Sequence, residues 1–315
     1  MKKDIYQIIT EQVIKGLEEG GHKWFQSWAG NTNTMTISHT TGKIYKGINQ
    51  MLLSMSMYFN EYSSREFITF NQAKKLGGKV KKGSVSDIVV KYNVSYYVND
   101  KIKEGKRIYL KTDELNMPII PKGYTQKDVN KSMSVRYFRV FNLDCVEGVE
   151  DKHNIDDVIK GSVFEPIKEA DLVYSNMRNK PTLEHKIPRC FYVRDEHKIN
   201  MSSPDTFISS DDYYKTLFHE LTHSTGHKDL LNRKSLMESF THNSKKDVVK
   251  YSQEELVAEL GAMFLTNILG LEPKDSEKNS QAYINGWIKH LKNHPKEIIF
   301  ASGQSQKAVE YILNK

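Results

Sequence analysis

Cysteine is nearly absent: two residues, Cys145 and Cys190, in a chain of 315. They stand far apart and form no Cys-x-x-Cys pair. That excludes a disulfide framework and a cysteine-ligated zinc site, and two lone thiols suit an intracellular chain. Proline (8) and glycine (18) are too sparse for a collagen-like or low-complexity chain. No apolar run approaches the roughly 20 residues of a membrane-spanning helix. The opening Met1-Lys2-Lys3-Asp4-Ile5-Tyr6-Gln7 lacks the apolar stretch of a secretory leader. The expectation is a cytoplasmic protein with no membrane partner, and no internal repeat is found.

What the chain does have is enough apolar material for packed cores: 38% hydrophobic residues, 10% aromatic. At 315 residues two domains are expected. The charge is split unevenly. Residues 1–150 carry 23 Lys and Arg against 15 Asp and Glu, a net +8. Residues 151–315 carry 23 against 24, a net −1. A basic first half joined to a neutral second half points to a polyanion-binding module attached to one of another kind.

Apolar residues at Ile5, Ile8, Ile9, Val13, Ile14 and Leu17 predict an amphipathic helix that ends at Gly20-Gly21, with a loop carrying Trp24, Phe25 and Trp28 beyond it. Helices are expected over 49–62 and 70–76. Strands are expected over 88–98, 107–110 and 134–141, where β-branched and aromatic residues partly alternate. Polar, acidic residues 151–160 suit a linker. After it come a helix over 164–178, short strands over 190–193 and 198–201, and helices over 211–225, 252–268, 280–293 and 304–313. The expected architecture is α+β in two domains: a basic one over 1–150, and one over 161–315 whose order, short strands leading into helices, is that of a zincin-like fold.

The second domain contains His219-Glu220-Leu221-Thr222-His223. Ser209 or Ser210 can cap its helix, and Gly226 can end it. Residues i and i+4 share a helical face, so His219 and His223 can address one ion. Glu220 then reaches a metal-activated water as general base. The expected ion is Zn2+, with Mn2+ or another divalent ion as the alternative. Two candidates supply a third ligand. Asp229 has a metzincin-like spacing. The helix holding Glu254, Glu255 and Glu259 could instead complete a gluzincin-like shell, with Glu255 on the metal and Glu259 orienting a ligating histidine. The first assignment is preferred for Glu255, with Glu254 and Glu259 the other acids on that helix. Tyr251, Tyr283 and His227 are candidates for oxyanion stabilisation, and 197–203 for a strand at the cleft edge able to hold an extended peptide.

The first domain interleaves cations with aromatics. Lys43, Tyr45, Lys46 and Asn49 lie in Thr41–Asn49, while Lys74, Lys75, Lys79, Lys81 and Lys82 crowd a glycine-punctuated stretch. Arg136 adjoins Tyr137 and Phe138. Cations along a groove with stacking platforms are what sequence-tolerant binding of single-stranded DNA requires. A solvated lysine-rich loop beside an aromatic core is the alternative.

Taken together, several stretches resemble the ArdC antirestriction family. In the first half they are Asp4-Ile5-Tyr6-Gln7, Thr41–Asn49, Phe70–Gly78 with Lys82-Gly83, and Val140-Phe141-Asn142. In the second half they are Tyr214–His227, Glu254–Ala262 and Tyr283–Trp287. They run in the family's order over nearly the whole chain. The resemblance implies a zincin-like metallopeptidase domain, an N-terminal domain that binds single-stranded DNA, carriage on a plasmid or phage, and protection of incoming DNA from restriction. Together with the motif it leads to the expectation of peptide-bond hydrolysis in a protein substrate associated with DNA or restriction. It favours Glu255 over Asp229, because the Glu254–Glu259 helix is a family motif. A non-catalytic protector with a structural or regulatory metal is the competing expectation.

Overall fold

The computed structural model describes residues 4–30, 35–114, 117–152, 166–207, 209–238, 245–271 and 277–315. Side chains within 20–30, 166–167, 245–252 and 277–284, and that of Met133, lie outside the description, and so does most of the expected linker, from residue 153 on. The protein is α+β, and in its second half one helix precedes the short strands and the other helices follow them, as the sequence predicts.

Helix α1 (Ile5–Gly30) buries Ile9, Val13, Ile14 and Leu17 on one stripe. It runs straight through Gly20-Gly21, so the loop expected around Trp24 is helical in its backbone. Each glycine costs a helix about 1 kcal/mol relative to alanine, and packing against a neighbouring helix outweighs that. Helix α2 (Ile48–Asn60) buries Ile48, Met51, Leu52 and Leu53, and α3 (Phe70–Lys75) starts at a capping box between Thr69 and Gln72.

Strands β1 (Ile37–Ser38), β2 (Glu66–Ile68), β4 (Asp87–Asn99), β5 (Arg107–Leu110) and β6 (Asn130–Asn142) form one sheet in the order β1-β2-β6-β4-β5. Strands β3 (Lys79–Val80) and β7 (Val146–Glu147) pair separately. Two compact units result. One comprises Met1–Ile88 with Arg139–Lys315, and the other is Val89–Phe138, which holds β5 and most of β4 and β6. The stretches on either side of residues 151–160 therefore share one compact unit.

In the second half, α4 (Pro166–Asn176) leads to β8 (Thr182–Glu184), β9 (Phe191–Val193) and β10 (Lys198–Asn200). Strand β10 lies between the other two, parallel to β8 and antiparallel to β9. The expectation that 197–203 forms a cleft edge is thereby corrected. Both sides of Lys198–Asn200 are already paired, because Ile199 and Met201 are buried and draw the strand inward.

Helices α5 (Ser210–Ser224), α6 (Lys234–Met237), α7 (Lys245–Leu269), α8 (Glu277–Asn293) and α9 (Glu297–Ile312) complete the chain. Helix α7 buries Leu256, Val257, Ala258, Leu260, Ala262, Met263 and Leu265, so from Leu256 on it is apolar on most sides, and both α5 and α9 cover it. Helices α5 and α9 pack against it, and α1 packs against α8. Gly261 sets the α5–α7 approach: a Cβ there would lie 2.5 Å from Thr222 Cγ2.

Candidate metal centre

Helix α5 begins where the sequence places it. The Ser209 hydroxyl accepts from the Asp212 amide as N-cap, and Asp211 and Asp212 occupy the favourable first turn. Leu217, Phe218 and Leu221 face the core. That phase turns His219 and His223 toward α7, with ring centroids 4.7 Å apart.

Their Nε2 atoms stand 3.0 Å from one another. Glu255 of α7 brings one oxygen to 3.5 Å from His219 Nε2 and the other to 3.5 Å from His223 Nε2. Each ring's far nitrogen faces its own carboxylate: His219 Nδ1 lies 3.3 Å from Glu259, and His223 Nδ1 lies 3.2 Å from Glu254. With Nδ1–H donated to a carboxylate, each Nε2 presents a lone pair, and two lone pairs 3.0 Å apart repel unless a proton or cation lies between them. Among the described residues, His219, His223 and Glu255 are the group able to converge on one ion. Two imidazoles and a carboxylate fit a divalent ion of the zinc or manganese type.

Glu254 is the residue that sequence reasoning left among the alternatives, and it has a distinct place. It is buried, and it accepts from Arg233 Nη2 at 2.6 Å, Arg233 Nε at 3.2 Å and the Ser235 hydroxyl at 2.6 Å. Arg233, also buried, further donates to Thr225 Oγ1 at 2.5 Å and to the Thr222 carbonyl at 2.6 Å, which locks the end of α5. Gly226 makes room for it, since a Cβ there would fall 2.9 Å from the guanidinium carbon. A buried pair of this kind is stable only with all its hydrogen bonds made.

The electrostatics follow from burial working against charge. Burial pushes both imidazoles down, but the surrounding carboxylates win. Glu259 and Glu255 raise His219 well above its ordinary value, and Glu254 and Glu255 raise His223 to about 9. Burial pushes the acids up, yet Arg233 and His223 hold Glu254 down at about 2, the two imidazoles hold Glu255 below the usual carboxylate range, and His219 does the same for Glu259. A divalent ion here competes with protons on His219 and His223.

Glu220, one residue past the first histidine, is buried beside the pair. Asp229 stands outside the convergent group. Its carboxylate is largely exposed and lies 3.5 Å from His227 Nδ1. The side chains of Tyr251 and Tyr283 lie outside the described residues.

The candidate nucleic-acid residues are placed less uniformly. Lys43, Lys74, Lys75, Lys79, Lys81, Lys82 and Arg136 are exposed. Tyr45 is half-buried, and that burial pushes its phenol up. Asn49 is half-buried on α2, and Lys46 Nζ is engaged by Glu310 of α9 at 2.7 Å. Within Val89–Phe138 the structure shows a feature that composition alone did not single out. Tyr97 of β4 and Tyr109 of β5 are cross-strand partners with ring centroids 5.9 Å apart, and the Arg107 guanidinium lies 4.6 Å over the Tyr97 ring. Tyr109, Tyr137 and Phe138 are exposed. This unit carries ten Lys and Arg against five Asp and Glu. The signal available in the sequence was the run of tyrosines in strands flanked by cations.

Comparisons with known proteins agree with this division of features. Residues 3–141 match the N-terminal domain of anti-restriction factor ArdC, and residues 169–304 match a zincin-like metallopeptidase domain. Two crystal structures of the antirestriction ArdC protein from the R388 plasmid are similar over 99% of this chain, each with a TM-score of 0.68. The Mn(II)-bound form is 29% identical and covered to 98%; the metal-free form is 27% identical and covered to 97%. A DNA primase TraC of Escherichia coli is 28% identical over 99% of this chain, which spans only 20% of that primase's length.

Proposed function

Because the chain belongs to the ArdC-like antirestriction family, an ArdC N-terminal domain joined to a zincin-like metallopeptidase domain, we propose that it binds single-stranded DNA through its first half and hydrolyses a peptide bond in a DNA-associated protein through its second. The observation that carries the catalytic half is the convergence of His219, His223 and Glu255, each histidine backed by its own carboxylate. These three residues would hold the ion, and the ion supplies Lewis acidity that makes a water nucleophilic near neutral pH. Glu220 takes the water's proton and returns it to the leaving amine. Glu259 and Glu254 fix the tautomer and aim of the two imidazoles, and Arg233 holds Glu254 in register.

The DNA half rests on the aromatic and basic surface of Val89–Phe138, where Tyr97, Tyr109 and Arg107 lie side by side and the rings could stack bases, together with the exposed lysines of 74–82. The match to part of a DNA primase and to an antirestriction protein is consistent with a DNA-linked role in protecting incoming DNA.

The test is Glu220→Gln. The variant is expected to keep its metal and its binding of single strands while losing protection of incoming DNA against restriction in cells. Retention of metal together with full protection would leave a non-catalytic protector, with a structural or regulatory ion, as the reading.

A further inference from the structure

Part of the Thr41–Asn49 stretch turns away from the other basic residues and toward α9. Lys46 Nζ donates to Glu310 Oε1 at 2.7 Å, and the Gly47 amide donates to Gln306 Oε1 at 3.2 Å. Gln306 Nε2 in turn donates to the same Glu310 oxygen at 3.2 Å. Gly47 has a φ of 55°, which glycine adopts without strain, and this bend brings the stretch against the Ser302 carbonyl of α9.

Between this bend, α7 and α9 lies a cavity of about 350 Å³. Most of its wall is apolar. Ile44 and Ile268 pack with Met35, and Phe264 and Val309 are buried beside them. Tyr45 and Leu313, both half-buried, complete the wall, and the exposed Lys46 and Lys315 are its cations. Glu310 is its carboxylate, with a side chain 34% exposed. Both contacts to Glu310 fall on Oε1, so Oε2 has no partner among the described residues.

The volume is at the low end for small-molecule sites and suits one nucleoside. A wholly apolar occupant would match the wall but would take water from Glu310 without replacing it. A nucleobase satisfies both parts. Its flat faces pack on the apolar wall and on Tyr45, and its edge N–H groups donate to the carboxylate. Guanine presents N1–H and N2–H side by side to a carboxylate, whereas thymine presents one N3–H between two carbonyl oxygens that repel it.

We propose that this cavity binds one nucleotide, its base inside and its phosphate at Lys46 and Lys315, and that it prefers guanine to thymine. The inference rests on the single-strand reading above for the source of the nucleotide, one residue of a bound strand; a free guanine mononucleotide offers the same chemistry.

The test is a titration of the full chain with labelled single strands of thymine that carry one central guanine or none, read by fluorescence anisotropy, beside equilibrium dialysis with dGMP. Leu313→Trp fills the cavity, and Glu310→Gln keeps the size of the side chain and removes its charge. The unaltered chain is expected to bind the guanine-bearing strand about 10-fold more tightly, the scale of one well-matched base edge. Each variant is expected to lose that preference, and the isosteric Glu310→Gln decides the matter if Leu313→Trp fails to fold. Equal affinity of the unaltered chain for the two strands overturns the proposal, and so does a preference that both folded variants retain. If no single strand binds, the single-strand reading fails and dGMP decides for the cavity. Saturable binding of dGMP that Leu313→Trp or Glu310→Gln weakens about 10-fold supports the site, and no binding of dGMP removes it.

Discussion

The centre between α5 and α7 and the unit Val89–Phe138 use polar and aromatic groups in opposite ways. In the centre the metal-facing groups are buried or half-buried and held by one another: Glu255 by two imidazoles, each imidazole by a second carboxylate, Glu254 by Arg233. In Val89–Phe138 the aromatics and cations are largely exposed, with Arg107 over Tyr97 and Tyr97 tilted against Tyr109. The difference teaches that a change in the centre propagates through the network, because low dielectric makes each missing partner expensive, whereas changes in the hairpin should act one contact at a time.

The largest effect is expected at Glu220. Its replacement by Gln should lower peptide hydrolysis by about 100-fold or more, the scale of a lost general base, with metal content unchanged by elemental analysis. Next comes Arg233→Met, which strips the charge from Glu254's partner without touching a ligand. It should cost about 3–5 kcal/mol in denaturant unfolding, since it leaves a buried carboxylate uncompensated, and should weaken metal binding by about 10–100-fold. If Arg233→Met and Glu254→Gln combined were strictly additive, the network description of the centre would fail.

In the hairpin, Tyr97→Ala and Tyr109→Ala should each weaken single-strand binding by about 1–3 kcal/mol and leave unfolding free energy nearly unchanged. Binding by the full chain should also fall as salt is raised. A salt-independent affinity would contradict an electrostatic surface there.

The smallest effect concerns Asp87, at the start of β4. Burial raises its carboxyl to about 6, and a hydrogen bond from Ser56 offsets only part of this. The folded value lies above the unfolded value of about 3.9. The protonated form's stabilisation is therefore fully present below about pH 4 and lost as pH rises through 6. Relative to Asp87→Asn, the unaltered chain should lose about 1–2 kcal/mol of unfolding free energy between pH 4 and 7.5. An equal pH profile for the two chains would show that the carboxyl is solvated.

Much of the metal centre was legible in the sequence, because the information is local. Ser209, the spacing of His219 and His223, and Gly226 specify a capped helix with two imidazoles on one face. Glu255 and Glu259 were readable as a pair on one side of α7 for the same reason. Glu254 was not separable from its neighbour, since its role depends on Arg233, which reaches it from the segment after α5. Helix α1 ran past Gly20-Gly21, where local propensity was outweighed by packing. The central place of β10 and the meeting of Tyr97 with Tyr109 both depend on strand pairing, a non-local property that period-2 alternation does not encode. Lys46 shows the same limit from the other side. Read as a DNA contact, it lies against Glu310, a residue 264 positions away.

The most direct measurement is anomalous scattering from crystals grown with Mn2+, collected at the manganese edge. A peak within bonding distance of His219 Nε2, His223 Nε2 and Glu255 is predicted. A peak bonded to Asp229 or Glu254 in place of Glu255, or no peak beside the two histidines, would contradict the assignment of the centre.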